Sequence, residues 1–120
     1  MVTTTGLVRT TARLAGAALL LTSFLAGAAR AEEAKELYKK RCATCHGEHG
    51  KGDGPVGQKL QPRPADFATA LDGKDDAYIA KVIRGGGASV GKAKVMPAFG
   101  TLKDAEVEDL VRYVKGLTGR

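Results

Sequence analysis

Tryptophan is absent from these 120 residues, and phenylalanine and tyrosine occur three times each. A short chain with so few aromatics builds a thin apolar core and tends to need a disulfide, a metal or a cofactor to hold it. Cysteine occurs only twice, so an all-cysteine zinc site cannot form within one molecule. Histidine also occurs twice, at His46 and His49. A mixed zinc site would need both beside the thiols, and the histidine pair that a zinc finger places about a dozen residues downstream is missing. The chain has no G-x-x-x-x-G-K-[ST] loop and no Lys/Arg stripe with interleaved aromatics, which argues against nucleotide and nucleic-acid binding. It shows no internal repeat and no strand-like alternation of useful length. All-α is the class this leaves.

What is present begins with an export pattern. Arg9 and Arg13 precede an apolar stretch from Leu14 to Ala29, and Ala29-Arg30-Ala31 fits the small-x-small cleavage rule ahead of Glu32-Glu33. The stretch is interrupted by Gly16, Thr22, Ser23 and Gly27 and falls short of the about 20 apolar residues of a membrane span. Residues 1–31 are therefore expected to be a cleaved signal peptide, leaving a single domain over 32–120 with no membrane span, in the periplasm. The net charge of +6 loses three arginines with the signal, which weakens any case for an anionic partner.

Cys42-Ala43-Thr44-Cys45-His46 has the C-x-x-C-H spacing of c-type haem attachment. Two thiols three positions apart reach the two vinyl groups of one haem, and the imidazole that follows lies under the iron as its proximal ligand. Cys42 and Cys45 are thus expected to be covalent anchors and His46 the fifth iron ligand. Thiol redox chemistry is the rival reading, but the βαβ setting of a thioredoxin-like site is absent.

Downstream, helices are expected over 32–41, 75–84 and 104–117. The last is marked by Val107, Leu110, Val111, Val114 and Leu117 at helical spacing, with acids in its first half and Arg112 and Lys115 in its second. Thr101 is the expected cap of that helix, and Tyr113 is expected to meet Leu37 or Tyr38. Residues 47–64 hold five glycines and three prolines and read as a loop wrapping a porphyrin edge, with His49 exposed and Phe67 in the core or against haem. A proximal histidine needs an acceptor for its free ring N–H. The carbonyls of Pro55, Pro62 and Pro64 are candidates, with Pro62 the first choice. Met96, in Met96-Pro97-Ala98-Phe99, is the one methionine besides the initiator. Its thioether is the expected sixth ligand, the rivals being a lysine, water or an open site.

With these residues in hand, the chain resembles a class I monohaem cytochrome c of bacterial periplasmic type. The resemblance covers most of residues 32–120. It is carried by Leu37-Tyr38 ahead of Cys42-Ala43-Thr44-Cys45-His46-Gly47, and by Gly52-Asp53-Gly54-Pro55. Leu60-x-Pro62-x-Pro64-x-Asp66-Phe67, Ile83-Arg84-x-Gly86, Met96-Pro97-x-Phe99 and Leu110-Val111-x-Tyr113-Val114 complete it. It implies a cytochrome c fold whose first and last helices cross, one haem c with His46/Met96 ligation and one exposed edge, and attachment after export. The chain departs from the pattern at Lys103, where the family often caps the last helix with serine or threonine. It departs again at the helix crossing, where Ala34 is the nearest small residue to the family's usual glycine.

The expected function is that of a soluble one-electron carrier, not an enzyme, working as a monomer in transient complexes with redox partner proteins. Lys51, Lys59, Lys92 and Lys94 stand in loops near the expected haem edge, where each is first of all a solvated side chain. The alternatives are a haem c subunit of a larger oxidoreductase complex, and an open-site haem sensor or enzyme if Met96 does not ligate.

Overall fold

The apolar stripe of the last helix sets the packing of the rest. The structure, a computed structural model, describes residues 8–119. Its helices are α1 (Val8–Arg41), α2 (Ala43–His46), α3 (Phe67–Ala70), α4 (Asp76–Gly85) and α5 (Asp104–Leu117), with 3₁₀ turns at Gly57–Lys59 and Gly87–Val90. The described residues contain no strand, so the all-α expectation holds. The chain divides between Glu32 and Glu33 into two units. The first helix begins at Val8 rather than at Glu32, because the Ala- and Leu-rich stretch holds no proline and joins the good helix formers of 32–41 without a break. The first seven residues of the expected 1–31 segment, and Arg120, lie outside the described residues. Among the described residues no helix is long and apolar enough to cross a membrane.

In the second unit, Val107, Leu110, Val111 and Val114 of α5 are buried against Ile79 and Ile83 of α4 and Tyr38 of α1. Each such side chain stabilises the fold by about 1.5–3 kcal/mol when fully withdrawn from water. Tyr38 is completely buried, and its ring centroid lies 5.1 Å from that of Tyr113 on α5. This is the expected contact between the first and last helices. Ala34, one turn earlier, is 3% exposed, so the small residue at the approach of α1 and α5 is an alanine.

The helix starts are built locally. The Asp75 carboxylate accepts from the backbone N–H of Tyr78 at 2.8 Å and caps α4. The Asp66 carboxylate accepts from Ala68 N–H at 2.8 Å and starts α3, a helix too short to show as periodicity. Thr101 does not cap α5. Lys103 holds the cap position, and the Glu106 carboxylate reaches back to accept from the Lys103 N–H at 2.8 Å. Two exposed ion pairs, Arg84–Asp104 and Lys115–Asp76, each at 2.5 Å, join α4 to α5.

The loop between α2 and α3 is organised differently. Its fully buried residues are Gly47, Gly50, Gly52, Gly54 and Gly57, which have no side chain to contribute to a core. It is held instead by backbone hydrogen bonds to α2 and to its own far end.

Candidate haem-binding turn

The turn at 42–46 grows directly out of α1. Cys42 N–H donates to Tyr38 O at 2.8 Å, continuing the helical ladder. The Cys42 carbonyl then accepts from Cys45 N–H at 3.1 Å and from His46 N–H at 2.9 Å. Residues three and four apart on a helix share a face, so both thiols and the imidazole belong to one turn. Cys42 and Cys45 form no disulfide with each other, and both are half-buried.

Five contacts fix this turn from outside. Gly52 N–H donates to His46 O at 2.8 Å, and Val56 N–H to Thr44 O at 2.9 Å. The Tyr38 hydroxyl donates to Gly47 O at 2.7 Å. The loop also crosses so close at Gly57 that a β-carbon there would collide with the carbonyl of Cys45, which is a backbone atom and cannot swing aside. Phe67, whose N–H bonds Gly50 O at 2.8 Å, lays its ring 4.8 Å from the His46 ring at a 34° tilt.

Burial sets the electrostatics. It lowers the His46 pKa below the usual imidazole value, which keeps the ring neutral with a lone pair to offer. It pushes the Cys42 thiol up to about 11, with Cys45 adding to the rise and Arg41 opposing it. Reactive thiol redox sites depend on the opposite shift, so this environment counts against that reading. Tyr38 is raised above the usual phenol value, chiefly by burial and then by Cys42, Tyr113 and Asp53.

The Nδ1 atom of His46 is buried and has no hydrogen-bond partner. The expected proline carbonyl does not supply one. Pro62 is exposed and makes no hydrogen bond to the ring, and the carbonyl of Pro64 packs on Gly52 instead. His49 is exposed, as expected.

Met96 is positioned from the other half of the chain, half-buried, with its carbonyl accepting from Gly87 N–H at 3.2 Å. Beside it Val95 is 46% exposed, and beside α2 Val56 is 43% exposed. Two soft thiols and a neutral imidazole held from behind make a donor set that fits a porphyrin. Among the described residues no group of three or more His, Cys, Asp or Glu side chains is arranged to hold a bare metal ion. The Tyr38–Gly47 bond and the Phe67–His46 stacking leave no mark in the sequence beyond the presence of the aromatic residues. Both depend on how a loop folds back.

Over residues 29–114 the sequence matches the family described as cytochrome C oxidase, cbb3-type, subunit III. It is 38% identical over 93 residues to the cbb3-type cytochrome c oxidase subunit CcoP of Azospirillum brasilense, covering 77% of this chain and 30% of that protein. It is 36% identical over 90 residues to the subunit FixP of Azorhizobium caulinodans, covering 74% of this chain and 28% of that protein. A second CcoP, from Azospirillum sp. (strain B510), is 32% identical over 103 residues, covering 84% of this chain and 33% of that protein. The chain therefore spans a third or less of the length of these relatives.

Proposed function

Since the chain belongs to the cytochrome c family typified by subunit III of cbb3-type oxidases, we propose that it is an electron-transfer domain carrying one covalent haem c and working as a haem subunit of a larger oxidoreductase assembly. The observation that carries the haem reading is the single turn that unites Cys42, Cys45 and a neutral, buried His46. The names of the relatives, all oxidase subunits, support the docked role over that of a free carrier.

In this reading Cys42 and Cys45 would hold the porphyrin through thioethers, and His46 and Met96 would offer its iron a nitrogen and a sulfur. The bound haem supplies an iron that alternates between ferric and ferrous states and so carries one electron. The protein's part is to fix the donors. Tyr38 and Gly52 pin the turn on either side of His46, Phe67 backs its ring, and burial keeps that ring unprotonated. The chain passes electrons and does not itself transform a substrate.

A free periplasmic carrier remains the second reading, favoured by the Ala29-Arg30-Ala31 pattern, which would release 32–120 from an export signal. The test has two parts. Visible spectra of the oxidised and reduced protein, with acid–acetone extraction, are expected to show haem that stays with the polypeptide and low-spin bands. The weak far-red Met–iron band is expected to disappear in Met96→Ala. A high-spin spectrum that shifts readily with cyanide or carbon monoxide would instead establish an open iron site. Fractionation of native cells, followed by native gels stained for haem, is expected to place the haem with a large complex. A small soluble haem band alone would establish the free carrier.

A further inference from the structure

We propose that Gly86 is the positioning residue for Met96, setting where its sulfur lies; this rests on the His46/Met96 reading above. Helix α4 ends at Gly85, and Gly86 follows with φ +70°, buried. The segment Met96–Ala98 lies flat across it. A methyl group at position 86 would stand 2.6 Å from the Met96 carbonyl oxygen, 2.9 Å from the carbonyl carbon of Pro97 and 3.0 Å from the backbone nitrogen of Ala98. All three are main-chain atoms, so no rotamer change relieves the collision and the backbone itself must move.

Which side moves is decided by burial. The α4 side is anchored through Ile79 and Ile83 in the core. The other side is exposed at Lys92, Lys94, Val95, Pro97 and Ala98. Its ties to α4 and the turn after it are the hydrogen bonds Gly87 N–H to Met96 O at 3.2 Å, Lys92 N–H to Gly87 O at 2.9 Å and Phe99 N–H to Ile83 O at 3.0 Å. Packed cores resist displacement, whereas segments with few buried contacts yield. A β-carbon at 86 therefore pushes out the stretch that carries Met96. Ligand constellations tolerate displacements of only about 0.5 Å, and a thioether is a weak donor. The absence of a side chain at 86 is thus what allows the methionine to sit against the rest of the fold.

Gly73 provides the steric control. Its φ is also positive, at +66°, yet a methyl there meets nothing within 4 Å. Gly86→Ala, Gly73→Ala and Met96→Ala are compared as holoproteins by the far-red Met–iron band, by cyanide binding and by far-UV circular dichroism. Gly86→Ala is expected to lose the band and take up cyanide as Met96→Ala does, with wild-type helix content, while Gly73→Ala keeps the band. Gly86→Ala with the band and cyanide response of the wild type overturns the inference. A wild type without the band, unchanged by Met96→Ala, overturns the ligation reading instead. If Gly86→Ala does not fold in buffer, it is refolded in sucrose or TMAO, which favour the folded state, and the same criteria decide.

Discussion

The hydroxyl of Tyr38 donates to the carbonyl oxygen of Gly47 across 2.7 Å, inside a core where Tyr38 has no exposed surface. One bond thereby links the helix that enters the candidate site to the residue that leaves it. Tyr38→Phe removes the donor and leaves the Gly47 carbonyl with only the longer bond from Gly50 N–H at 3.3 Å. The expected cost is about 0.5–1.5 kcal/mol in chemical denaturation.

The same phenol predicts a pH dependence. Its pKa is raised in the folded state, so the native protein holds a proton that the unfolded chain releases above about pH 10. The stability it contributes is complete below that pH and declines as pH rises further. Denaturation midpoints between pH 8 and 11 are expected to fall in the wild type, and to fall less steeply in Tyr38→Phe.

Ala34 is 3% exposed on α1, beside α5. Ala34→Leu is expected to overpack this approach at a cost of about 1–3 kcal/mol, whereas Ala34→Gly keeps the close contact and costs about 0.5–1 kcal/mol through helix propensity. Thermal or urea unfolding separates the two.

The Lys115–Asp76 pair joins α5 to α4 at 2.5 Å, but its side chains are 48% and 65% exposed. Water and salt screen it, so Lys115→Met is expected to change stability by less than about 1 kcal/mol. A larger loss in urea titrations would show that the pair fixes helix orientation.

His49 is exposed three residues beyond His46. His49→Gln is expected to leave the visible spectrum of the holoprotein unchanged. His46→Gln is expected to abolish its low-spin bands.

The long helices were legible because their signals are local. The stripe on α5 repeats at 3.6-residue spacing, and Asp75 is an ordinary cap at the start of α4. Lys103 was not legible as the cap of α5, because its side chain is not a capping group and the backbone bond comes from Glu106. The C-x-x-C-H turn announced itself through spacing, whereas its supports did not. The approach of Tyr38 to Gly47 and of Phe67 to His46 is decided by loop closure, which leaves no periodic trace. The proline carbonyls were not separable for the same reason: Pro55, Pro62 and Pro64 are equivalent as residue types, and only the path of the loop, which packs the Pro64 carbonyl on Gly52, tells them apart.

The loop whose buried residues are all glycines has a calorimetric consequence. Unfolding heat capacity comes mainly from apolar surface newly exposed to water. Opening this loop breaks backbone hydrogen bonds while wetting little hydrocarbon, so its enthalpy changes little with temperature. The helical core of α1, α4 and α5 behaves oppositely. Cooling weakens the core's hold while leaving the loop's nearly untouched, so the two parts of one small domain answer to different thermometers.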